Sequence, residues 1–263
     1  MEFFGYGASI LIGLILGLLG GGGSILSIPI LVYLFKLDPV LASAYSLFIV
    51  GVTSLAGAIP KYRDHLVNLR TGLIFGIPSI ISIFCTRRWI VPSIPDILFT
   101  SGDLIFTKRL LLLGLFAVLM VLAAIPMIRG KKNPISTNQR FRTFLVIVEG
   151  VLIGFLTGLV GAGGGFLIIP ALVFLTGLPF KTAVGTSLFI ISINSLVGFA
   201  GDLMNYHMDW IFLLSVSGLA IIGIIIGSRL SKHISSLKLK KSFGWVTLLM
   251  GCYILVRELF LKG

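Results

Sequence analysis

Two runs of glycine carry the chemistry this chain could perform: Gly20-Gly21-Gly22-Gly23-Ser24 and Gly161-Ala162-Gly163-Gly164-Gly165. Glycine lacks a Cβ and enters the left-handed region freely, so such a run can break a helix inside an apolar segment. A helix restarting after the break points unpaired N–H groups and a positive dipole end into whatever space lies ahead. Those groups suit the oxygens of an anion. The plainer alternative is close packing of small residues between helices, as in GxxxG contacts. Clustering, duplication and a proline six residues on, Pro29 or Pro170, favour the break.

Hydroxyl and amide groups follow each run at matching places. They are Ser43, Tyr45, Ser46, Thr53 and Ser54 after the first, and Thr182, Thr186, Ser187, Asn194 and Ser195 after the second. Ser46 and Ser54 share a helix face, as do Ser187 and Ser195, because eight residues make about two turns. Facing a cavity, these groups could donate to an oxyanion; facing a neighbour, they would bond backbone, as Ser and Thr often do in membrane helices. The candidate binding set is therefore Gly20, Gly21, Gly22, Gly23, Ser24, Ser46, Gly161, Gly163, Gly164, Gly165, Thr186, Ser187 and Asn194. Asn194 stands out because an amide in an apolar run needs partners.

Few other residues compete. Glu149 lies inside an apolar segment where its counterpart is Ala8. It is either a proton-coupling carboxylate or an interfacial partner of Arg140 or Arg142. Arg88 and Arg229 occupy equivalent helix ends and either guide an anion or snorkel to headgroups. His65, His207 and His233 are scattered, and Cys85 and Cys252 form no spaced pair, so no metal or other cofactor is expected. No HExxH, nucleophile elbow or Walker sequence is present, and an enzyme is not expected.

The elements that position these residues are set by composition. With 57% hydrophobic and 11% charged residues and a mean hydropathy of +1.10, the chain reads as an integral membrane protein. Its apolar runs are long enough to cross a core of about 30 Å. They must be helical, since the alternation of a membrane barrel is absent. No basic region precedes the first apolar run, so that run is expected to stay in the mature protein. The net charge of +12 is assigned to loops facing anionic headgroups; no RNA-binding module accompanies it, and nucleic acid is excluded as a partner.

Residues 17–57 recur at 158–198 without a gap, identical at about half their positions. The chain is thus a duplicated unit: a first repeat over residues 1–130, a basic linker over 131–142, and a second repeat over 143–263. Each repeat should hold one glycine-broken element, re-entrant or discontinuous, and three spanning helices. A single unbroken helix over 3–35 would reach about 50 Å, too long for one crossing. Re-entrant elements also sort the Lys and Arg residues between the two faces by roughly two to one, whereas eight plain crossings leave them even. That arrangement makes the copies inverted, as in many secondary transporters. The basic loop at 61–70 and its acidic counterpart at 201–209 agree.

GLLGGGGSILSIPIL (17–31) and GLVGAGGGFLIIPAL (158–172), followed by ASAYSLF (42–48) and AVGTSLF (183–189), with GSRL (227–230), resemble the TauE/SafE family of membrane permeases. The resemblance spans both halves. It implies a multi-pass carrier of the bacterial or archaeal inner membrane, exporting small sulfur anions such as sulfite, sulfoacetate or other sulfonates. Ser24, in place of the glycine at the matching Gly165, and the long 87–109 connection depart from the regular pattern and leave the substrate open. Partners implied are the anionic solute and membrane lipid, with a homo-oligomer compatible. The rival is a non-transporting scaffold or assembly factor whose glycines only pack helices.

Overall fold

The structure, a computed structural model, describes residues 2–101, 104–129 and 139–260. It is a bundle of helices in which α1 (Glu2–Leu19) and α2 (Gly22–Pro29) are separated by a bend at Gly20 and Gly21. A wider π-type turn, Ile30–Leu34, continues α2. Three longer helices follow: α3 (Pro39–Arg63), α4 (Leu69–Cys85) and α6 (Lys108–Arg129). In the second half α7 (Gln139–Val160) and α8 (Gly165–Leu175) flank the Gly161–Gly164 bend. They are followed by α9 (Phe180–Asp202), α10 (Trp210–Lys232) and α11 (Ser236–Phe260). Six helices are long and apolar enough to cross a membrane, and the pieces around the two bends are shorter apolar helices. Three spanning helices and one broken element per half match the sequence expectation.

The 87–109 connection has structure of its own. α4 runs on through a π-type turn, Thr86–Ile90, and the short α5 (Val91–Ser93). The antiparallel strands β1 (Ile97–Ser101) and β2 (Leu104–Thr107) then form a hairpin before α6. The basic linker at 131–142 falls largely outside the described residues.

Caps repeat along with the sequence. Asn68 and Asp209 occupy equivalent positions, and their side chains accept from Thr71 N at 3.0 Å and Phe212 N at 3.0 Å to start α4 and α10. The backbone N–H groups of the same two residues donate to equivalent hydroxyls, Asn68 N to Thr186 Oγ1 at 2.9 Å and Asp209 N to Tyr45 Oη at 2.8 Å. Asp38 caps α3 through Val40 N at 2.8 Å, with Pro39 at the first helical position.

Packing interleaves the halves. Gly13 lies on Ala220, and Gly17 on Ile224 and Ser228, so α1 runs parallel to α10 in close backbone contact. Its counterpart α7 does the same along α4 and its extension, Gly150 on Phe75, Gly154 on Ser79 and Gly158 on Thr86. These small-residue stripes let the helices approach without a hydrophobic driving force from lipid. Equivalent helices meet antiparallel. Gly51 lies against Leu196 and Gly57 near Leu188, joining α3 to α9, while Gly244 on Ile128 and Gly251 on Ala117 join α6 to α11. The core between them includes Leu16, Ile25, Leu47, Phe116, Phe166 and Leu188, and Phe116 and Phe166 stack edge to face at 5.4 Å. Leu73, Ile77, Ile81, Leu122, Leu214 and Leu249 face outward, as lipid-bathed helices require.

Candidate functional site

The two breaks are built alike. Gly20 and Gly161, at equivalent positions, have φ of 78° and 79°, the left-handed turn that ends α1 and α7 and that a side chain would strain. Gly20 N donates to Leu16 O at 2.7 Å, and Gly161 N to Thr157 O at 2.7 Å. The second break is longer, with Gly163 and Gly164 also left-handed at φ 65° and 75°. No side chain caps the start of α2 or of α8, so their leading N–H groups are left to other partners. Ser24 Oγ donates instead to Gly21 O at 2.7 Å. After the bend each arm folds back on its predecessor: Gly23 lies on Ile12 and Leu16, and Gly164 on Thr157.

The breaks touch each other. A Cβ built on Gly165 would lie 2.6 Å from Gly21 Cα, so the two backbones are in van der Waals contact at the centre of the bundle. Polar atoms without partners lie on α3 and α9. Thr53 Oγ1, Ser54 Oγ, Asn194 Oδ1 and Ser195 Oγ are buried and make no hydrogen bond among the described residues. They form two equivalent pairs, Thr53 with Asn194 and Ser54 with Ser195, on α3 and α9. Ser195 Oγ would be 2.6 Å from a Cβ on Gly163, which places that hydroxyl on the break. Unsatisfied groups at such density are uncommon in a native interior.

The other sequence candidates are placed as follows. Ser46 Oγ pairs with Ser27 Oγ of α2 at 2.6 Å, tying the first returning arm to α3. Ser187 Oγ donates to Val184 O at 2.8 Å, and Thr186 is engaged by the α4 cap. Asn194 Nδ2 donates to Ser79 Oγ at 2.6 Å, leaving its oxygen free. Gly22 opens α2. Glu149 lies apart, about 18 Å along α7 from Gly161 at 1.5 Å per residue. It sits in a groove of about 520 Å³ lined by Leu119, Ala123, Leu152, Leu167 and Phe174. The side chains of Arg140 and Arg142, its proposed partners, fall outside the described residues.

One functional candidate escaped the sequence. Arg88 reaches the exposed Asn205 Oδ1 at 2.9 Å, whereas its neighbour Arg87 is fully buried. Arg87 Nη1 donates to Ser43 Oγ at 2.9 Å and lies 3.3 Å from Asp202 Oδ2, both side chains being inaccessible. Its Nη2 packs on Gly161. The available signal was the repeat register: Arg87 aligns with Ser228 and Asp202 with Lys61, so charge appears at one copy's helix ends where the other copy differs.

Interleaved halves, paired helix breaks and buried unsatisfied polar groups on the helices that follow them fit a polytopic membrane protein of transporter type. The profile of the sulfite exporter TauE/SafE family matches residues 6–254. The chain belongs to that family. A "probable membrane transporter protein" of Xylella fastidiosa (strain 9a5c) is 31% identical over 259 residues, covering 96% of this chain and 94% of the relative. YunE of Bacillus subtilis (strain 168), named likewise, is 27% identical over 283 residues, covering 95% and 97%. MJ0441 of the archaeon Methanocaldococcus jannaschii is 26% identical over 265 residues, covering 94% of each. No solved structure matches. The protein is therefore a multi-pass membrane transporter.

Proposed function

We propose that this protein is a secondary exporter of small anions, sulfite, sulfoacetate or another organosulfonate, and that the anion binds where the two broken helices meet. The reading is carried by the unpartnered polar atoms of Thr53, Ser54, Asn194 and Ser195 on α3 and α9, of which Ser195 Oγ lies against Gly163 of the second break, together with two N-termini that no side chain caps. The family's name supports a sulfur oxyanion. Gly21 and Gly165 in contact describe a closed centre, and binding requires the arms to part. Alternating access follows if the halves are inverted repeats. Supporting that, equivalent helices meet antiparallel, as an axis in the membrane plane would make them. A dianion moving outward along an inside-negative potential gains about 4.6 kcal/mol per 100 mV, or about 2.3 kcal/mol if one proton travels with it, so a further coupling ion is not obligatory.

The test is anion flux in proteoliposomes for Gly22→Leu and Gly163→Leu, accompanied by Ser54→Ala and Ser195→Ala. The serine variants remove hydroxyls with no protein partner, so folding should tolerate them. All four should lose flux at normal expression. Wild-type flux in all four would refute the site.

A further inference from the structure

The buried Arg87–Asp202 pair leaves much of its polar capacity unused. A buried arginine opposite a carboxylate ordinarily forms two parallel hydrogen bonds. Here a single nitrogen, Nη1, is shared between Ser43 and Asp202. Arg87 Nε and Nη2 have no partner, and neither Asp202 oxygen accepts a hydrogen bond among the described residues. Four charged-group atoms are thus left open where neither side chain meets solvent. The open Nη2 is the one resting on Gly161, the first residue of the second break. Such a fork, held side-on and half used, is shaped for a ligand with two or three oxygens.

We infer that the Arg87 guanidinium receives the sulfonate- or sulfite-type oxyanion, and that Asp202, its resident counter-ion, takes up a proton as the anion arrives. The inference rests on the anion reading above and names the residue and the proton that complete it. An oxyanion joining the pair would leave one uncompensated negative charge in a low-dielectric site, and such a charge is relieved by neutralising the carboxylate. The proton comes from water and adds to a carboxylate oxygen of Asp202; no substrate bond is made or broken, and the proton leaves with the anion. Other groups facing the pair are Tyr206, just beyond α9, and, through Tyr206, Asp38 and Asp96. Arg88 is turned away to Asn205. Of these charged groups only Arg87 and Asp202 are fully buried. The other copy offers no equivalent carboxylate. Lys61 stands at the Asp202 position, buried, donating to Ser231 Oγ at 3.1 Å.

The experiment is equilibrium binding of methanesulfonate and isethionate, which do not titrate between pH 6 and 8, to the purified full-length protein in detergent. One linked proton tightens wild-type binding by up to about tenfold per unit fall in pH. Asp202→Asn should bind as tightly at pH 8 as wild type does at pH 6, with no pH dependence. Arg87→Gln should lose binding at every pH, and Arg87→Lys, which keeps the charge without the fork, should weaken it. Pyranine-loaded proteoliposomes should show proton movement accompanying wild-type anion flux. Wild-type binding that is flat with pH, or Asp202→Asn binding that still varies with it, overturns the proton exchange while leaving the anion site standing. Failure of wild type to bind or move either probe or sulfite overturns both the transport reading and this inference.

Discussion

Gly165→Ala tests the contact on which the closed centre depends. The new methyl would lie 2.6 Å from Gly21 Cα, 3.2 Å from Gly21 O and 2.7 Å from Ile191 Cδ1. Carbon atoms in comfortable contact sit about 3.5–4.0 Å apart. Ile191 Cδ1 is the end of a flexible side chain and can swing away. Gly21 is backbone, so the two breaks must separate by about 1 Å. Overpacking of this kind costs about 1–3 kcal/mol, from which alanine's advantage over glycine within a helix returns about 0.5–1 kcal/mol. A net cost of about 1–2 kcal/mol shifts the balance between closed and parted arms by a factor of about 5–30. Gly218→Ala is the control, since nothing lies within 4 Å of its Cβ and it faces outward from α10. Thermal unfolding in detergent should rank Gly165→Ala below wild type and Gly218→Ala at or above it. Adding Ile191→Val should recover only part of the loss, because the backbone contact persists. If Gly165→Ala matched wild type in both unfolding temperature and anion flux, the breaks would not be pressed together and the closed centre would be wrong.

Two further predictions concern the rim of the bundle. Glu258 accepts from Tyr33 Oη at 3.0 Å and from Arg109 Nε and Nη2 at 3.2 and 3.1 Å, pinning the end of the first returning arm to α6 and α11. Tyr33→Phe should cost about 0.5–1.5 kcal/mol of stability and Glu258→Gln more, measured by thermal unfolding; equal, negligible effects would remove the pin. The Asp64–Lys232 bridge at 2.8 Å is largely exposed, and its hydrogen bond from Lys232 holds the Asp64 carboxyl below its usual range. A carboxylate so shifted adds stability at neutral pH that is lost as pH falls below about 4. Asp64→Asn should therefore lower the unfolding temperature slightly at pH 7 in low salt and not in high salt; an effect that grew with salt would contradict the assignment.

The helix breaks were legible because glycine followed by proline, repeated without a gap, has few structural meanings inside an apolar run. The spanning helices were legible from hydropathy alone. The exchange of partners was not: the stripes Gly13–Gly17 and Gly223–Gly227 announce close contact but do not say with whom, since every small-residue face is compatible with every other. Thr186 illustrates the limit for polar residues. Its spacing after the glycine run placed it beside Ser187, yet its hydroxyl accepts from the backbone of a loop brought near only by the interleaving of the halves. The choice of Arg88 over Arg87 has the same origin. Adjacent helical positions point about 100° apart, and only tertiary packing decides which is enclosed and which is wet. The hairpin at 97–107 did carry a signal, Gly102-Asp103 between the β-prone runs ILFTS and LIFT, but its strands are short and sit in a connection that reads as amphipathic.

Ser43, which holds Arg87, and Lys61 lie eighteen residues apart on α3, about 27 Å at 1.5 Å per residue. One end of that helix therefore meets a buried arginine paired with a buried acid, and the other ends in a buried lysine that donates to a serine, with the exposed Asp64 nearby. Two unchanged copies of one unit would meet cargo identically from either direction, and such a conduit would have no preferred sense. Divergence at two matched sites removes that equivalence: the buried cation is a lysine beside an exposed acid at one end and an arginine beside a buried acid at the other. The two ends of the duplicated architecture are thus told apart by two substitutions rather than by its shape.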